Sequence, residues 1–213
     1  MAILGGILHA PNNYDALAYR VPRVLNWIAE GHWHWIHTMF HRLNTRACGM
    51  EWLSAPLIIL TGSDRLLFLP NAVSFLLMPG LVYSVLFRLG VAKRVAWQWM
   101  WILPTGYCYL LQAGSIGNDL FGAVLGLCAM DLALRARESG RVSLVLLSVL
   151  AAGAMTAGKT NNITLGLAWL VIVGPVLWKS LIHRFILTTL VSILAAAASF
   201  LPSAFLNYKY CGD

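Results

Sequence analysis

The chain has 213 residues, of which 59% are hydrophobic and only 11% are charged, and its formal net charge is +7. Soluble domains carry about a quarter charged residues, so this composition excludes an ordinary water-soluble globule. The positive charge does not indicate nucleic-acid binding, because the Lys and Arg residues cluster at the ends of apolar runs, as the positive-inside rule of membrane proteins describes. We therefore expect an all-α, polytopic bundle of transmembrane helices.

The apolar start of the chain, 1–10, is too short to span a bilayer and lacks the basic leader and cleavage site of a signal peptide. We interpret it as the tail of a first transmembrane helix. No internal repeat or low-complexity linker interrupts the sequence. We expect a single transmembrane domain over 1–213, and we expect it to be the N-terminal fragment of a longer protein.

The most polar part of the chain, 11–63, is predicted to be a loop that carries short interfacial helices. Apolar residues recur at helical spacing over 14–28, which predicts an amphipathic helix lying flat at the membrane surface. Pro22 predicts a kink or a helix restart within it. Residues 31–48 are rich in His, Trp and Arg and indicate an irregular loop, and 50–61 predicts a second short helix.

About six apolar runs follow within 64–206, each close to the roughly 20 residues that a membrane span needs. They are 65–87, 95–112, 116–134, 142–157, 161–178 and 185–206. The linkers after the first, third and fifth runs are basic, so we predict that they are cytoplasmic. The loops 11–63, 113–116, 158–160 and 207–213 then share the extracytoplasmic side.

This topology gathers several polar residues at one end of the bundle. They are Asp15, Glu51, Asn118, Asp119, Lys159 and Lys209. Polar groups at membrane depth are unfavourable unless they are paired, hydrated or used in function. Two interpretations stay open: helix capping for the acids and Asn118 with snorkelling for Lys159, or a site in which Lys159 pairs with a lipid phosphate.

Two other motifs in the sequence resemble ligand-binding sites. The histidines His32, His34, His37 and His41 stand among tryptophans. Their spacing matches no zinc motif, so an aromatic belt at the membrane interface is favoured over a metal site. Residues 153–160 match the P-loop pattern, but they end an apolar run rather than joining a strand to a helix, so we reject nucleotide binding there.

Five short motifs resemble the GT-C membrane glycosyltransferases, in the bacterial branch related to protein mannosyltransferases and aminoarabinose transferases. The stretch Asn12–Val24, followed by Trp27, resembles the first extracytoplasmic loop of that family. The later motifs follow in the same order and are Gly49–Leu53, Gly62–Leu66, Gly117–Leu120 and Gly158–Thr160. The five motifs are distributed along the chain from Asn12 to Thr160.

The resemblance implies an inverting glycosyltransferase in the bacterial inner membrane, which takes a sugar from a polyprenyl-phosphate carrier at the extracytoplasmic face. Asp15 would be the general base that deprotonates the acceptor hydroxyl. Lys159, with Arg20 and Arg23, would bind the donor phosphate. Further residues expected to shape the site are Glu51, Asn118 and Asp119. Apart from the lipid-linked donor, the resemblance implies no definite cofactor. The fragment alone is expected to be inactive, because it is expected to lack part of the acceptor site.

The chain also departs from the family pattern. Arg20 stands where many relatives have His, Cys48 where Pro is common, and Gly117 where Gln is common. Ala16 follows Asp15 where relatives often have a second acid. These departures leave open whether a divalent cation is used, and which sugar and acceptor react.

Two other function classes remain as alternatives. A transporter or flippase for a lipid or small solute would show repeated halves and polar breaks at mid-membrane, whereas the polar residues here are expected at one face. A membrane assembly subunit without chemistry would need none of them.

Overall fold

The computed structural model describes residues 2–212, and within this range it contains helices and no strand. This confirms the all-α prediction. The α-helices are α1 (Ala2–Leu8), α2 (Val21–Glu30), α3 (Arg42–Thr45), α4 (Gly49–Thr61), α5 (Leu69–Arg88), α6 (Lys93–Ile102), α7 (Tyr107–Ala113), α8 (Asp119–Ser139), α9 (Val142–Gly158), α10 (Ile163–His183), α11 (Phe185–Ala197) and α12 (Leu201–Cys211). The two short helices predicted in the first loop are present as α2 and α4.

Two helical segments are long and apolar enough to cross a membrane, Leu69–Arg88 and Thr160–His183. The pair α11 and α12 passes the same test when taken together, but the two helices meet at an angle of 55°. Two or three candidate spans therefore support the interpretation that the chain is a membrane protein. The larger number predicted from the apolar runs stays a prediction.

The run predicted at 95–112 is not one continuous helix. A 3-10 turn, Leu103–Thr105, separates α6 from α7, and the backbone of Gly106 is extended, with φ −54° and ψ 132°. Pro104 explains the break, because proline has no N–H to donate and its ring displaces the preceding turn.

Small residues let α8, α9 and α10 pack closely along most of their length. Ala129 and Ala133 of α8 are fully buried. The hydroxyl of Ser148 in α9 donates to the carbonyl of Ala129 at 2.7 Å, and the Trp169 indole of α10 donates to the same hydroxyl at 2.7 Å. Close backbones joined by side-chain hydrogen bonds are typical of helix packing in membranes.

The first loop folds over one end of this bundle. Gly49, the first residue of α4, lies so close to the end of α9 that a Cβ on it would come within 2.6 Å of Ala157. The last helix returns to the same loop, since the Cys48 thiol lies 2.9 Å from the Ser203 hydroxyl and Trp35 stacks on Tyr210. Contacts distant in sequence therefore hold the loop in place.

A charged cluster lies at the other end of α5 and α8. The buried carboxylate of Asp131 accepts from the Ser84 hydroxyl at 2.5 Å and pairs with Arg88 at 3.3 Å and Arg135 at 2.7 Å. Arg88 also pairs with Glu138. The basic residues that follow the first and third predicted spans thus gather at one end, as the predicted alternation of loops requires.

Candidate functional site

A polar cleft of about 430 Å³ opens at the end of the bundle that carries the first loop. The first loop lines it with Asp15, Tyr19, Arg42 and Arg46; the start of α8 lines it with Asn118 and Asp119; and the segment after α9 lines it with Lys159 and Asn161. Segments more than a hundred residues apart in the chain therefore meet here. Of the residues predicted from the sequence, the structure brings together Asp15, Asn118, Asp119 and Lys159.

Asp15 lies at the start of the helical segment that becomes α2, yet it does not cap it. The Asn13 side-chain oxygen takes that role, accepting from the backbone N–H of Ala16 at 2.9 Å. Asp15 itself has helical backbone angles and makes no side-chain cap bond. Its carboxylate faces the cleft and forms no salt bridge among residues 2–212.

A π turn, Ala16–Arg20, follows Asp15 and runs directly into α2. Such turns insert an extra residue into a helix and are frequent at functional sites. Here the turn carries Tyr19, which lines the cleft, and Arg20, which is buried behind it. The Arg20 guanidinium donates to the Tyr19 hydroxyl at 3.2 Å.

The Tyr19 phenol is held in its neutral form. Burial raises the pKa of Tyr19 above its usual value. The Arg20 guanidinium lowers the pKa, and the carboxylate of Asp15 raises it again, with burial as the largest effect. Tyr19 is therefore a hydrogen-bonding group of the cleft rather than a charged one at neutral pH.

Asp119 is held by two partners. Its carboxylate forms an ion pair with the Lys159 ammonium, and its second oxygen accepts from the Gln112 amide at 2.9 Å. The Gln112 oxygen in turn accepts from the backbone N–H of Leu120 at 2.8 Å, in the first turn of α8. The ion pair faces the cleft, since 40% of the Lys159 side chain and 53% of the Asp119 side chain are exposed.

Asn118 precedes α8 but makes no cap bond to it. Its amide instead donates to the carbonyl of Gly158, the last residue of α9, at 2.7 Å. Asn162 donates to the carbonyl of Met155 at 3.0 Å in the same way. The two amides satisfy carbonyl groups that the end of α9 leaves free, and so they fix the backbone on both sides of Lys159.

Arg42 and Arg46 are cleft residues that the sequence analysis missed. Arg42 is the first residue of the short α3, and Arg46 is the residue of extended backbone that follows it. Neither side chain forms a salt bridge among the described residues. The positive-inside rule offers a signal that could have found them, because arginines are disfavoured in a loop predicted to be extracytoplasmic. Their presence there calls for an anionic partner.

Arg20, Arg23 and Glu51 do not line the cleft. They are 1–2% exposed and form a buried cluster directly behind it, with one Glu51 oxygen 3.4 Å from each guanidinium. The two arginines predicted to bind a donor phosphate are thus placed away from the cleft, and Lys209 lies over the ring of Tyr210 instead. Of the three cations predicted to bind the phosphate, only Lys159 lines the cleft.

Three other features of the molecule, an apolar cavity, the histidines and a buried thiol, hold fewer groups that could bind or activate a substrate. An apolar cavity of about 600 Å³ lies between α4, α5 and α8, and no charged residue lines it. The rings of His32 and His34 are 4.9 Å apart, and each bonds a backbone carbonyl. Within residues 2–212 no three His, Cys, Asp or Glu side chains converge on one point. Burial raises the pKa of the Cys48 thiol to about 11, so it is inert at neutral pH.

No family model, no curated protein and no solved structure matches this chain. The grounds for a function are therefore the chemistry of the polar cleft and the motifs that resemble the GT-C glycosyltransferases. Both concern the same residues, since Asp15, Asp119 and Lys159 belong to those motifs and line the cleft.

Proposed function

We propose that the protein is an integral membrane glycosyltransferase of the GT-C type. It moves a sugar from a polyprenyl-phosphate donor to the hydroxyl of an acceptor at the extracytoplasmic face of the inner membrane, and it inverts the anomeric centre. The acceptor is a glycan, lipid or protein. Asp15 is the general base, and the cleft cations bind the donor phosphate.

The observation that carries this proposal is the distribution of charge in the polar cleft. Among the described residues Asp15 has no cationic partner, whereas Asp119 is already engaged by Lys159 and Gln112. The arginines Arg42 and Arg46 have no anionic partner among residues 2–212. An unpaired carboxylate and unpaired guanidinium groups in one cleft suit a reaction in which an acceptor hydroxyl loses a proton and a donor releases a phosphate.

The chemistry follows from these groups. Asp15 takes the proton of the acceptor hydroxyl, and the acceptor oxygen attacks the anomeric carbon of the sugar. The bond between that carbon and the phosphate oxygen breaks, and the electron pair leaves with the polyprenyl phosphate. Guanidinium groups bind phosphate oxygens in a planar fork, so Arg42 and Arg46 stabilise the charge that develops on the leaving group, with Lys159 as a third cation.

The size and polarity of the cleft fit a sugar phosphate. Ligand sites commonly enclose about 300–1,000 Å³, and the cleft encloses about 430 Å³ lined mainly by charged, hydroxyl and amide side chains. The lipid part of such a donor remains in the bilayer, which suits a bundle whose α5 and α10 are long and apolar.

A transporter is less well supported by the same features. Its substrate site belongs near the middle of the membrane, at breaks in the helices. Here the two charged clusters of α8 are centred on Asp119 and Asp131, about 18 Å apart along the helix axis. Between them α8 packs through apolar and small residues such as Leu120, Val124 and Ala129.

Replacing Asp15 tests the proposal. In the full-length protein reconstituted in liposomes, Asp15→Asn should slow the release of polyprenyl phosphate from a lipid-linked sugar by about 10²- to 10⁴-fold, because general-base catalysis contributes that much. Binding of polyprenyl monophosphate should stay intact. Asp64→Asn is the matched control, since Asp64 lies in the same loop outside the cleft, and it should retain full activity. Transfer at an unchanged rate in Asp15→Asn would remove Asp15 as the base.

A further inference from the structure

The buried cluster behind the cleft, formed by Arg20, Arg23 and Glu51 and called here the Glu51 cluster, is energetically unusual. Glu51 lies in α4 and is 1% exposed, and its Oε1 lies 3.4 Å from the Nη1 atom of each arginine. Two positive charges and one negative charge leave a net charge of +1 in the interior. The Nε atoms of both arginines and the Oε2 of Glu51 are buried without a hydrogen-bond partner in the protein.

Such a cluster is a poor source of stability. Removing charged groups from water is unfavourable, and buried ion pairs can often be replaced by apolar residues of similar size without loss of stability. Buried polar atoms without partners add to the penalty. The arrangement therefore calls for a role other than holding the fold together.

One side of the cluster holds the part of the cleft that contains Asp15. The Nη1 of Arg20 donates to Glu51, and its Nη2 donates to the Tyr19 hydroxyl at 3.2 Å. Tyr19 and Asp15 lie one helical turn apart and both line the cleft. Arg20 thus fixes the rotation of the π turn relative to α4.

The other side holds the part of the cleft that contains the free arginines. The Nη2 of Arg23 donates to the carbonyl of Arg42 at 3.0 Å, and its Nη1 donates to the carbonyls of Arg46 at 3.2 Å and Ala47 at 3.4 Å. These bonds clamp the backbone of the segment 42–47, of which Arg42, Thr45, Arg46 and Ala47 line the cleft. A single guanidinium therefore fixes where both phosphate-binding residues stand.

We propose that Glu51 is a positioning residue that orients both sides of the cleft. It acts through Arg20 on the base and its neighbour Tyr19, and through Arg23 on the phosphate-binding arginines. This inference rests on the proposed glycosyl transfer. It adds that one carboxylate sets the two halves of the reaction, through a hydrogen bond from Arg20 on one side and through an ion pair with Arg23 on the other.

The first variant weakens the contacts that position Asp15 and Tyr19. Arg20→Met removes the bonds to Glu51 and to the Tyr19 hydroxyl and leaves the ion pair of Glu51 with Arg23 in place. Because small displacements of reacting groups can slow a reaction by about 10²-fold, kcat should fall about 10- to 100-fold. The KM for the lipid-linked donor should stay within about twofold of the parent value, since Arg23 and its carbonyl bonds remain.

The second variant weakens the contacts that position Arg42 and Arg46, the arginines proposed to bind the phosphate. Arg23→Lys keeps the charge but loses the planar fork that reaches several carbonyls. We expect the KM for the donor to rise about tenfold, with a smaller change in kcat. The dissociation constant of polyprenyl monophosphate, measured in detergent, should rise by a similar factor. Backbone amides of 42–47 should exchange hydrogen faster than in the parent and in the first variant.

The outcomes separate this inference from the proposed function. If both variants lower kcat, affinity and melting temperature together, the cluster is merely structural and the inference is wrong. It is also wrong if Arg23→Lys leaves hydrogen exchange in 42–47 unchanged. If the parent protein neither binds polyprenyl monophosphate nor transfers sugar, the proposed function fails, while the exchange experiment still decides whether Arg23 positions the segment.

Discussion

At the scale of single residues, the two carboxylates of the cleft show that neighbours decide the role of a side chain. Asp15 and Asp119 both stand at helix starts, and both were open to a capping interpretation. In the structure Asn13 and Gln112 make the backbone bonds instead. Asp15 is left without a capping bond or an ion pair among the described residues, whereas Asp119 pairs with Lys159.

The pair of Asp119 and Lys159 leads to a prediction about anion affinity. Asp119→Asn keeps an oxygen for the Gln112 amide but removes the negative charge beside Lys159. The exposed pair contributes only about 0.2–1 kcal/mol to stability, so the protein should still fold. With Lys159 released, the KM for the lipid-linked donor should fall about two- to fivefold, measured by initial rates at several donor concentrations. A higher KM would show that Asp119 orients Lys159 rather than competing with the phosphate.

At the scale of secondary-structure elements, close approach of helices depends on glycine at particular positions. Gly153 of α9 is the clearest case, since a Cβ there would come within 2.5 Å of the Ala195 carbonyl oxygen of α11. Gly174 of α10 differs, because nothing lies within 4 Å of its Cβ position. Glycine thus sets the distance between α9 and α11 at Gly153, whereas Gly174 makes no close contact with another helix.

These two glycines form a matched pair of tests. Gly153→Ala should destabilise the protein by about 1–3 kcal/mol, because the α9–α11 contact must widen to admit the methyl group. Gly174→Ala should be neutral or slightly stabilising, since alanine is the better helix former. Thermal unfolding in detergent, followed by circular dichroism, measures both. Equal effects of the two substitutions would contradict the packing of α9 on α11.

At the scale of the whole molecule, opposite ends of the bundle have different chemistry. One end carries the polar cleft, and the other carries the cluster of Arg88, Asp131 and Arg135. The positive-inside rule predicts that the second end faces the cytoplasm. The membrane would then separate the cleft from the basic loops, which is the arrangement that a lipid-linked donor at the outer face requires.

Labelling from the two sides of the membrane tests this orientation. In a variant without the native cysteines, Met39→Cys lies in the first loop at a position that is 94% exposed, and Ser139→Cys lies at the last residue of α8, beside the basic loop. A membrane-impermeant maleimide added to intact cells whose outer barrier is opened should modify position 39. It should reach position 139 only after the inner membrane is permeabilised. The reverse pattern would place the cleft in the cytoplasm.

The sequence by itself determined the local structure of this protein well. Apolar periodicity predicted α2 and α4 in the first loop, and the low charge content predicted an all-helical chain with apolar segments of membrane length. The alternation of basic loops also predicted that Asp15, Asn118, Asp119 and Lys159 meet at one end. These features follow from short-range patterns and from the sidedness of a bilayer, which sequence records directly.

Only the tertiary structure decided which charged residues face the cleft. Arg20 and Arg23 point inward to Glu51, whereas Arg42 and Arg46, in a loop with no regular period, point into the cleft. The direction of these side chains depends on the π turn and on packing between segments far apart in sequence. Those are non-local interactions, so no window of neighbouring residues contains the information that fixes them.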